Sequence, residues 1–327
     1  MQCSQKTDEL IPEVLEFLEQ RSEFVIVGHK EPDGDCIGSQ LALSRYLLHK
    51  GKTVYAVSAG PFLRTEVKRY ESFFKKELPC FSKDTALIVV DCSNLDRTGF
   101  DNAFLPDTVP MLFIDHHASG NPEGHICFVN AHAPATAFLV QEIIEASGFR
   151  ITQEIAELLF FSIVTDTGFF RHLEQGSGRY FDAIARLVDA GASPKKAFYA
   201  MNGGKTLANR KLLGELLLNT KAYFDNKLLL SSLALHDQER YGLESRDSDM
   251  LYQLLMTVEE CEAVAVIRQE TEDYCAIGLR SKEWIDVGKI TEQFGGGGHK
   301  HAAGAYVQGT IETLKRALLK EFEKLLT

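Results

Sequence analysis

Residues Phe24–Ser39 read FVIVGHKEPDGDCIGS, and the fold turns on how that stretch is read. Phe24-Val25-Ile26-Val27 is an unbroken apolar run rich in β-branched residues, the pattern of a buried strand. Gly28 ends the run, and His29, Asp33 and Asp35 follow at once. Gly34 and Gly38 give the backbone freedom for a tight turn, and Ser39 stands where a helix could be capped. Strand, polar turn and helix N-terminus is where open α/β sheets place their ligands. One imidazole and two carboxylates on such a turn suit a hard or borderline divalent cation. Asp-Gly-Asp by itself fits a solvated Asx turn better. The histidine at the strand end turns the reading towards a site.

The same event recurs further on. Thr85–Val90 is a second strand of that kind, ending at Asp91, and Pro110–Ile114 another, ending at Asp115-His116-His117. Thr53–Val57 is a short strand between them and the first. Helical patterns lie at Thr7–Glu19, Ser39–His49, Ala135–Ala146 and Gln153–Val164, the last leading into Asp166. Strands alternating with helices predict a parallel sheet with right-handed crossovers. The C-terminal ends of its strands then lie along one edge, which brings His29, Asp33, Asp35, Asp91 and the 115–117 cluster together. Each group alone could be a cap or a solvated loop; their coincidence at one edge predicts a shared metal site.

The chain has 327 residues, 45% of them hydrophobic, enough for two cores. Phe181–Val188 is helical, and Ser193-Pro194 is an N-cap with proline at the first helical position. Residues 1–192 are therefore read as the metal-binding domain, 193–222 as a linker with helical character, and 223–327 as a second α/β domain with a mixed sheet. In that domain Leu228–Leu235, Cys261–Gln269, Tyr274–Leu279 and Ala303–Val307 are strands. Ser248–Val258, Asp286–Phe294 and Thr310–Leu326 are helices. Gly295–Gly298 before His299 reads as a side-chain-free loop suited to close approach of a phosphate or base. Arg280-Ser281 at a strand end is a second anion-binding candidate.

Composition bounds the rest. Seven cysteines stand singly with no CxxC, which argues against a disulfide framework or a zinc ribbon. Met1–Leu10 is polar and no apolar run nears the roughly 18 residues of a membrane span, so the expected setting is cytoplasmic. A net charge of −11 excludes a broad basic field for long nucleic acid.

Taken together, HKEPDGDCIGS, Asp91, Asp115-His116-His117, TDTG at 165–168 and GGGGHKHAAG at 295–304 resemble the DHH phosphoesterases that carry a DHH-associated C-terminal domain. The resemblance spans nearly the whole chain, in the family's order. Within the family, the GLRS around Arg280 resembles the branch that hydrolyses short oligonucleotides and 3′-phosphoadenosine 5′-phosphate. The resemblance implies two Mn²⁺ ions, with Mg²⁺ as the alternative. By motif position, His29, Asp33 and Asp91 hold one metal. Asp35, Asp91, His116 and Asp166 hold the other. His117 sits beside the reacting phosphate, and Asp115 orients the neighbouring imidazoles. Arg280, Ser281, Gly297, Gly298 and His299 hold the nucleotide from the second domain, with the active site in the cleft between domains. Lys300 and His301 fill variable positions. The implied substrates are short single-stranded oligonucleotides and 3′-phosphonucleotides, not long duplexes or membranes, and a homodimer is compatible. An inorganic pyrophosphatase or polyphosphatase, a RecJ-like single-strand exonuclease and a non-enzymatic nucleotide-binding module remain the competing readings.

Overall fold

The computed structural model describes residues 7–101, 105–106, 108–117, 120, 122–241 and 248–326. It forms two compact units, Met1–Gly203 and Gly204–Thr327. Of the seven cysteines Cys3 lies outside the described residues, and the other six are free thiols. Among the described residues, no helix is long and apolar enough to cross a membrane.

The first unit runs α1 (Thr7–Gln20), β1 (Glu23–Val27), α2 (Gly34–His49), β2 (Thr53–Val57), α3 (Thr65–Lys68), β3 (Thr85–Val90) and β4 (Met111–Asp115). It continues through β5 (Ile126–Val129), α4 (Thr136–Ala146), α5 (Gln153–Asp166), α6 (Gly178–Asp189) and α7 (Pro194–Asn202). Its five strands are all parallel, in the order β2-β1-β3-β4-β5. That is a doubly wound sheet whose order reverses between β1 and β3, the point at which such sheets bind ligands. Both faces are buried, as a parallel sheet requires. Phe24, Ile26, Ile88 and Ile114 pack on one side with the helices, and Val25, Val27, Val89 and Phe113 on the other.

The opening stretch folds differently from its sequence reading. Helix α2 begins at Gly34, not Ser39, because Asp33 caps it: the Asp33 carboxylate accepts from the N–H groups of Asp35 and Cys36, both at 3.1 Å. Ser39 is buried inside the helix. Gly34 and Gly38 are helical as well, and they serve close packing rather than a turn. A Cβ on Gly34 would lie 2.3 Å from Thr165 Oγ1, and one on Gly38 2.7 Å from the Leu158 carbonyl. Two missing side chains let α2 lie directly against α5.

The second unit runs α8 (Leu207–Leu218), β6 (Lys221–Tyr223), β7 (Leu228–Leu233), α9 (Leu235–Tyr241), α10 (Ser248–Leu255), β8 (Ala263–Gln269) and β9 (Tyr274–Ser281). It ends with α11 (Val287–Glu292), β10 (Gly297–His299), β11 (Ala302–Gln308) and α12 (Ile311–Leu326). Its sheet is mixed, in the order β10-β11-β9-β8-β7-β6, with β7 and β8 parallel and the remaining pairs antiparallel. The glycine run, read as a loop, is in part an edge strand. Gly297, Gly298 and His299 pair with Gly304, Ala303 and Ala302. A Cβ on Gly298 would meet the Ala302 carbonyl at 2.6 Å, so the glycine makes room for the hairpin.

Gly38→Ala should therefore destabilise the first unit. The obstacle is the Leu158 backbone, which yields less readily than a side-chain tip, so a cost of about 1–3 kcal/mol is expected. Urea unfolding of the two proteins side by side measures it, and an unchanged midpoint would mean that α2 and α5 do not pack as described.

Candidate metal centre

Three helix ends meet at the carboxyl edge of β1, β3 and β4. Asp35 lies in the first turn of α2, yet its carboxylate serves another helix. Helix α4 has Ala135 at its N-cap, with no side chain to accept its first N–H groups. Asp35 does so instead, from Thr136 N at 2.6 Å and Ala137 N at 3.1 Å. The hydroxyls of Ser162 on α5 and Ser39 on α2 add bonds to the same carboxylate at 2.8 and 3.2 Å. The Thr136 hydroxyl donates to Asp91 at 2.9 Å. Asp91 follows β3 with φ +56°, a left-handed conformation that aspartate tolerates better than most residues. Its N–H still bonds the Ile114 carbonyl at 3.0 Å, which anchors the kink to β4.

The imidazoles are aimed by their Nδ1 atoms. His29 Nδ1 lies 2.8 Å from the Lys30 carbonyl, and His116 Nδ1 3.1 Å from the Ala133 carbonyl. Each bond makes Nδ1 the protonated nitrogen and leaves the Nε2 lone pair pointing inward. His29 Nε2 faces Asp33 at 3.7 Å and Asp91 at 3.5 Å. His116 Nε2 faces Asp35, Asp91 and Asp166 at 3.9, 3.6 and 3.5 Å. These separations exceed a hydrogen bond. The donor atoms converge without bonding one another.

Their charges confirm the crowding. Burial, with the Asp91, Asp166 and Asp33 charges behind it, pushes the Asp35 carboxyl well above the usual range. Asp166, at the C-terminus of α5 where the helix dipole disfavours an anion, is pushed up to about 6, chiefly by burial and in part by Asp91. Burial would raise Asp33 also, but the His29 imidazole beside it holds it below the usual range. A cluster of this kind gathers more carboxylates than imidazoles, and its oxygen and imidazole donors suit Mn²⁺ or Mg²⁺. Asp35, His116 and Asp166 converge closely enough to hold one ion, and so do Asp91, His116 and His117, and His29, Cys36 and Asp91. Cys36 belongs to the packing: burial pushes its thiol up to about 12, and the Gln40 amide lies against its sulfur at 3.6 Å.

Asp115 is fully buried behind the two imidazoles. It accepts from the backbone N–H groups of His116 and His117 at 2.8 and 3.2 Å, from the Ser93 hydroxyl, and from His117 Nδ1 at 2.7 Å. It orients the His117 ring, whereas the His116 ring is held by Ala133. The Asp115 bond raises the His117 imidazole above its ordinary range and occupies Nδ1, leaving Nε2 for another partner. The sequence reading missed Thr136, Ser162, Ser93 and the Ala133 carbonyl. A Thr-Ala pair opening an apolar helix was the only available signal, and it does not say whose carboxylate will cap that helix.

In the second unit, strand register sorts the other candidates. Arg280 pairs with Ala302, and Ala302 with His299, so both side chains project from one face, about 10 Å apart across two strand spacings. The Arg280 guanidinium stacks 4.7 Å from the Tyr252 ring centroid and donates to the Leu279 carbonyl at 3.0 Å. Gly297, Gly298 and His299 are exposed. Ser281, one residue on, projects from the opposite face; it is buried and its hydroxyl donates to the Ile285 carbonyl at 2.7 Å. That hydroxyl holds the strand end in place rather than facing a ligand.

Fold and site together define a DHH-family hydrolase. Residues 23–163 match the DHH family N-terminal domain and residues 225–327 the DHHA1 domain, and the chain belongs to the DHH phosphoesterase family. It is 31% identical, over 92% of its own length and 88% of the other, to the bifunctional oligoribonuclease and PAP phosphatase NrnA of Thermus thermophilus. It is 26% identical to the cyclic-di-AMP phosphodiesterase GdpP of Bacillus subtilis, over 94% of its own length but only 49% of that protein. Among solved structures, an exopolyphosphatase-related protein from Bacteroides fragilis shares the fold with a TM-score of 0.82 at 23% identity, covering 100% of this chain and 99% of that one. RecJ of Thermus thermophilus in complex with Mn²⁺ matches with a TM-score of 0.52 at 16% identity, over 99% of this chain and 55% of RecJ.

Thr136 offers a test that does not depend on turnover. Thr136→Val keeps the side-chain shape and the backbone bond to Asp35 but removes the hydroxyl from Asp91. Mn²⁺ affinity by calorimetry should fall roughly ten- to hundred-fold, as for other lost partners of metal ligands, and Thr136→Ser should recover most of it. Equal affinity in all three proteins would show that the hydroxyl does not position Asp91.

Proposed function

We propose that this protein is a divalent-metal-dependent hydrolase of short oligonucleotides and of 3′-phosphoadenosine 5′-phosphate, acting in the cytoplasm. The observation that carries the reading is the convergence of Asp33, Asp35, Asp91, Asp166, His29 and His116 at one sheet edge. Similarity along nearly the full length of the Thermus oligoribonuclease and PAP phosphatase supports the choice of substrates.

His29, Asp33 and Asp91 would hold one divalent cation, and Asp35, Asp91, His116 and Asp166 the second, with Asp91 shared. Two Mn²⁺ ions are the occupants we favour, with Mg²⁺ as the alternative. When bound, such a pair supplies Lewis acidity at the phosphoryl group and a hydrolytic nucleophile at neutral pH. The chain supplies the rest. Asp115 holds His117 so that Nε2 is free to contact a phosphoryl oxygen or to pass a proton to the departing oxygen. Arg280 and His299, on one face of the second sheet, supply cationic and N–H donors for a further phosphate of the nucleotide. Gly297 and Gly298 leave that strand without side chains, so a ligand can approach the backbone.

The test is kcat/KM with Mn²⁺ on an RNA dimer, a pentamer, a roughly 24-residue strand, 3′-phosphoadenosine 5′-phosphate and pyrophosphate. Dimer, pentamer and the bisphosphate should be hydrolysed, and the long strand poorly, because a site for a small ligand gains little from distant phosphates. Pyrophosphate hydrolysed faster than all of them, or the long strand as fast as the dimer, would overturn the assignment. Asp91→Ala should abolish detectable turnover on every substrate. Arg280→Ala should lower kcat/KM by ten- to hundred-fold, the loss of a charge-assisted contact of about 1.5–3 kcal/mol, and leave Mn²⁺ affinity unchanged. If Arg280→Ala is as active as the parent, the second unit does not bind substrate through that residue.

A further inference from the structure

The first unit carries an aromatic ladder that leads away from the metal centre. The chain leaves α5 at Asp166 and makes a turn in which Gly168, Phe169 and Phe170 have φ of +57°, +58° and +74°. Two bulky residues in succession with positive φ are outliers, and backbone strain of this kind concentrates at functional sites. Phe169 N–H donates to the Val164 carbonyl at 2.8 Å, and Arg171 Nε to the Gly168 carbonyl at 2.8 Å, so the turn is fixed. Phe169 is three positions after Asp166, which keeps their Cα atoms within about 11 Å. From Phe169 the rings continue outward. Phe198 lies edge-on at 5.5 Å, and Tyr199 follows at 6.0 Å. Phe198 is 47% exposed and Tyr199 62%.

The charge around these rings runs against the rest of the chain. Net charge is −11, yet the part of the first unit that carries Phe198 and Tyr199, from Gly191 to Gly203, has no Asp or Glu, while Lys195 and Lys196 fall within it, Lys196 pairing with Glu157 of α5 at 3.3 Å. Lys195 and Arg171 are exposed on the same unit as the rings. Exposed aromatic rings interleaved with cations are the recognition chemistry of single-stranded nucleic acid: bases stack on the rings and cations follow the backbone. Two exposed rings can serve about two bases, which sets a short reach.

We propose that Phe198 and Tyr199, with Phe169 leading from the metal centre, form a stacking strip for the bases of a short single strand whose scissile phosphate lies at that centre. The proposal rests on the hydrolase reading above and adds what selects substrates longer than a single nucleotide.

The full-length protein and the variant Phe198→Ala/Tyr199→Ala test it, since both residues are exposed and neither is needed for the core. The ratio of kcat/KM for an RNA pentamer to that for 3′-phosphoadenosine 5′-phosphate should fall roughly ten-fold or more in the variant, the loss expected when stacked bases lose their rings. Phe198→Tyr/Tyr199→Phe, which keeps both π faces, should restore the ratio. Fluorescence anisotropy of a labelled pentamer without added metal reads the same contact independently of turnover, so it still reports on the strip if the hydrolase reading fails. Pentamer binding should weaken by a similar factor. An unchanged ratio together with unchanged binding would overturn the proposal. So would a wild type that does not bind the pentamer, or a variant that differs from the wild type only in its association state by sedimentation, which would make this face an interface between copies of the chain.

Discussion

The Asp35 carboxylate is the contact on which the first unit depends. It belongs to α2 by sequence, caps α4, and is bonded by Ser162 of α5. Three helices are thereby fixed to one another through a single buried carboxyl group. Removing a carboxylate from water costs several kcal/mol unless the donors around it are well placed. Here two helix N–H groups and two hydroxyls supply them, and the N-terminal dipole of α4 adds to the effect. The remaining imbalance comes from Asp33, Asp91 and Asp166 close by. It explains why burial and like charge together push Asp35 and Asp166 upward. Four carboxylates at one edge repel one another, and bound cations would offset that repulsion. In such a protein metal affinity and stability draw on the same free energy.

The sequence revealed the parallel sheet readily because buried parallel strands are continuous apolar runs, and three of them led into a candidate ligand. Phe24–Val27 and Thr85–Val90 could hardly be read otherwise. What lay hidden was set by tertiary contact. Ser39 looks like a cap, but Asp33 comes first and takes the role, so α2 starts five residues earlier. Gly34 and Gly38 look like turn residues because glycine is what turns use; only the position of α5 shows that their missing Cβ atoms are filled by Thr165 and Leu158. Thr136 gives little signal because half of what it contributes is a backbone N–H. The strand Ile126–Val129 is too short to show a period.

The second unit shows the same limit through pleating. Arg280 and Ser281 are neighbours in sequence and form a natural pair of anion ligands on paper. A strand sends successive side chains to opposite faces, and the choice between faces is made by the β8–β9 and β9–β11 registers, which no local pattern encodes. Ser281 turns inward to Ile285, while Arg280 shares a face with His299. Gly297 and Gly298 were unreadable as a strand for a related reason: with no side chains there is no alternation to detect. Their pairing is decided by Ala302–Gly304, which are small enough to let the hairpin close.

An acidic chain in a family that hydrolyses phosphate esters poses an electrostatic problem that composition alone states wrongly. The formal charge of −11 is not spread evenly. Four of its carboxylates, Asp33, Asp35, Asp91 and Asp166, are gathered where divalent cations would offset them. Helix α7 meanwhile carries Lys195 and Lys196 and no acid of its own, Lys196 pairing with Glu157 of α5. Counterion release over a long duplex needs a continuous basic field, which this distribution does not provide. Cations held at one compact cluster would favour a ligand carrying only a few phosphates. Charge placement, rather than charge sum, is what makes a polyanion of limited length compatible with an acidic protein.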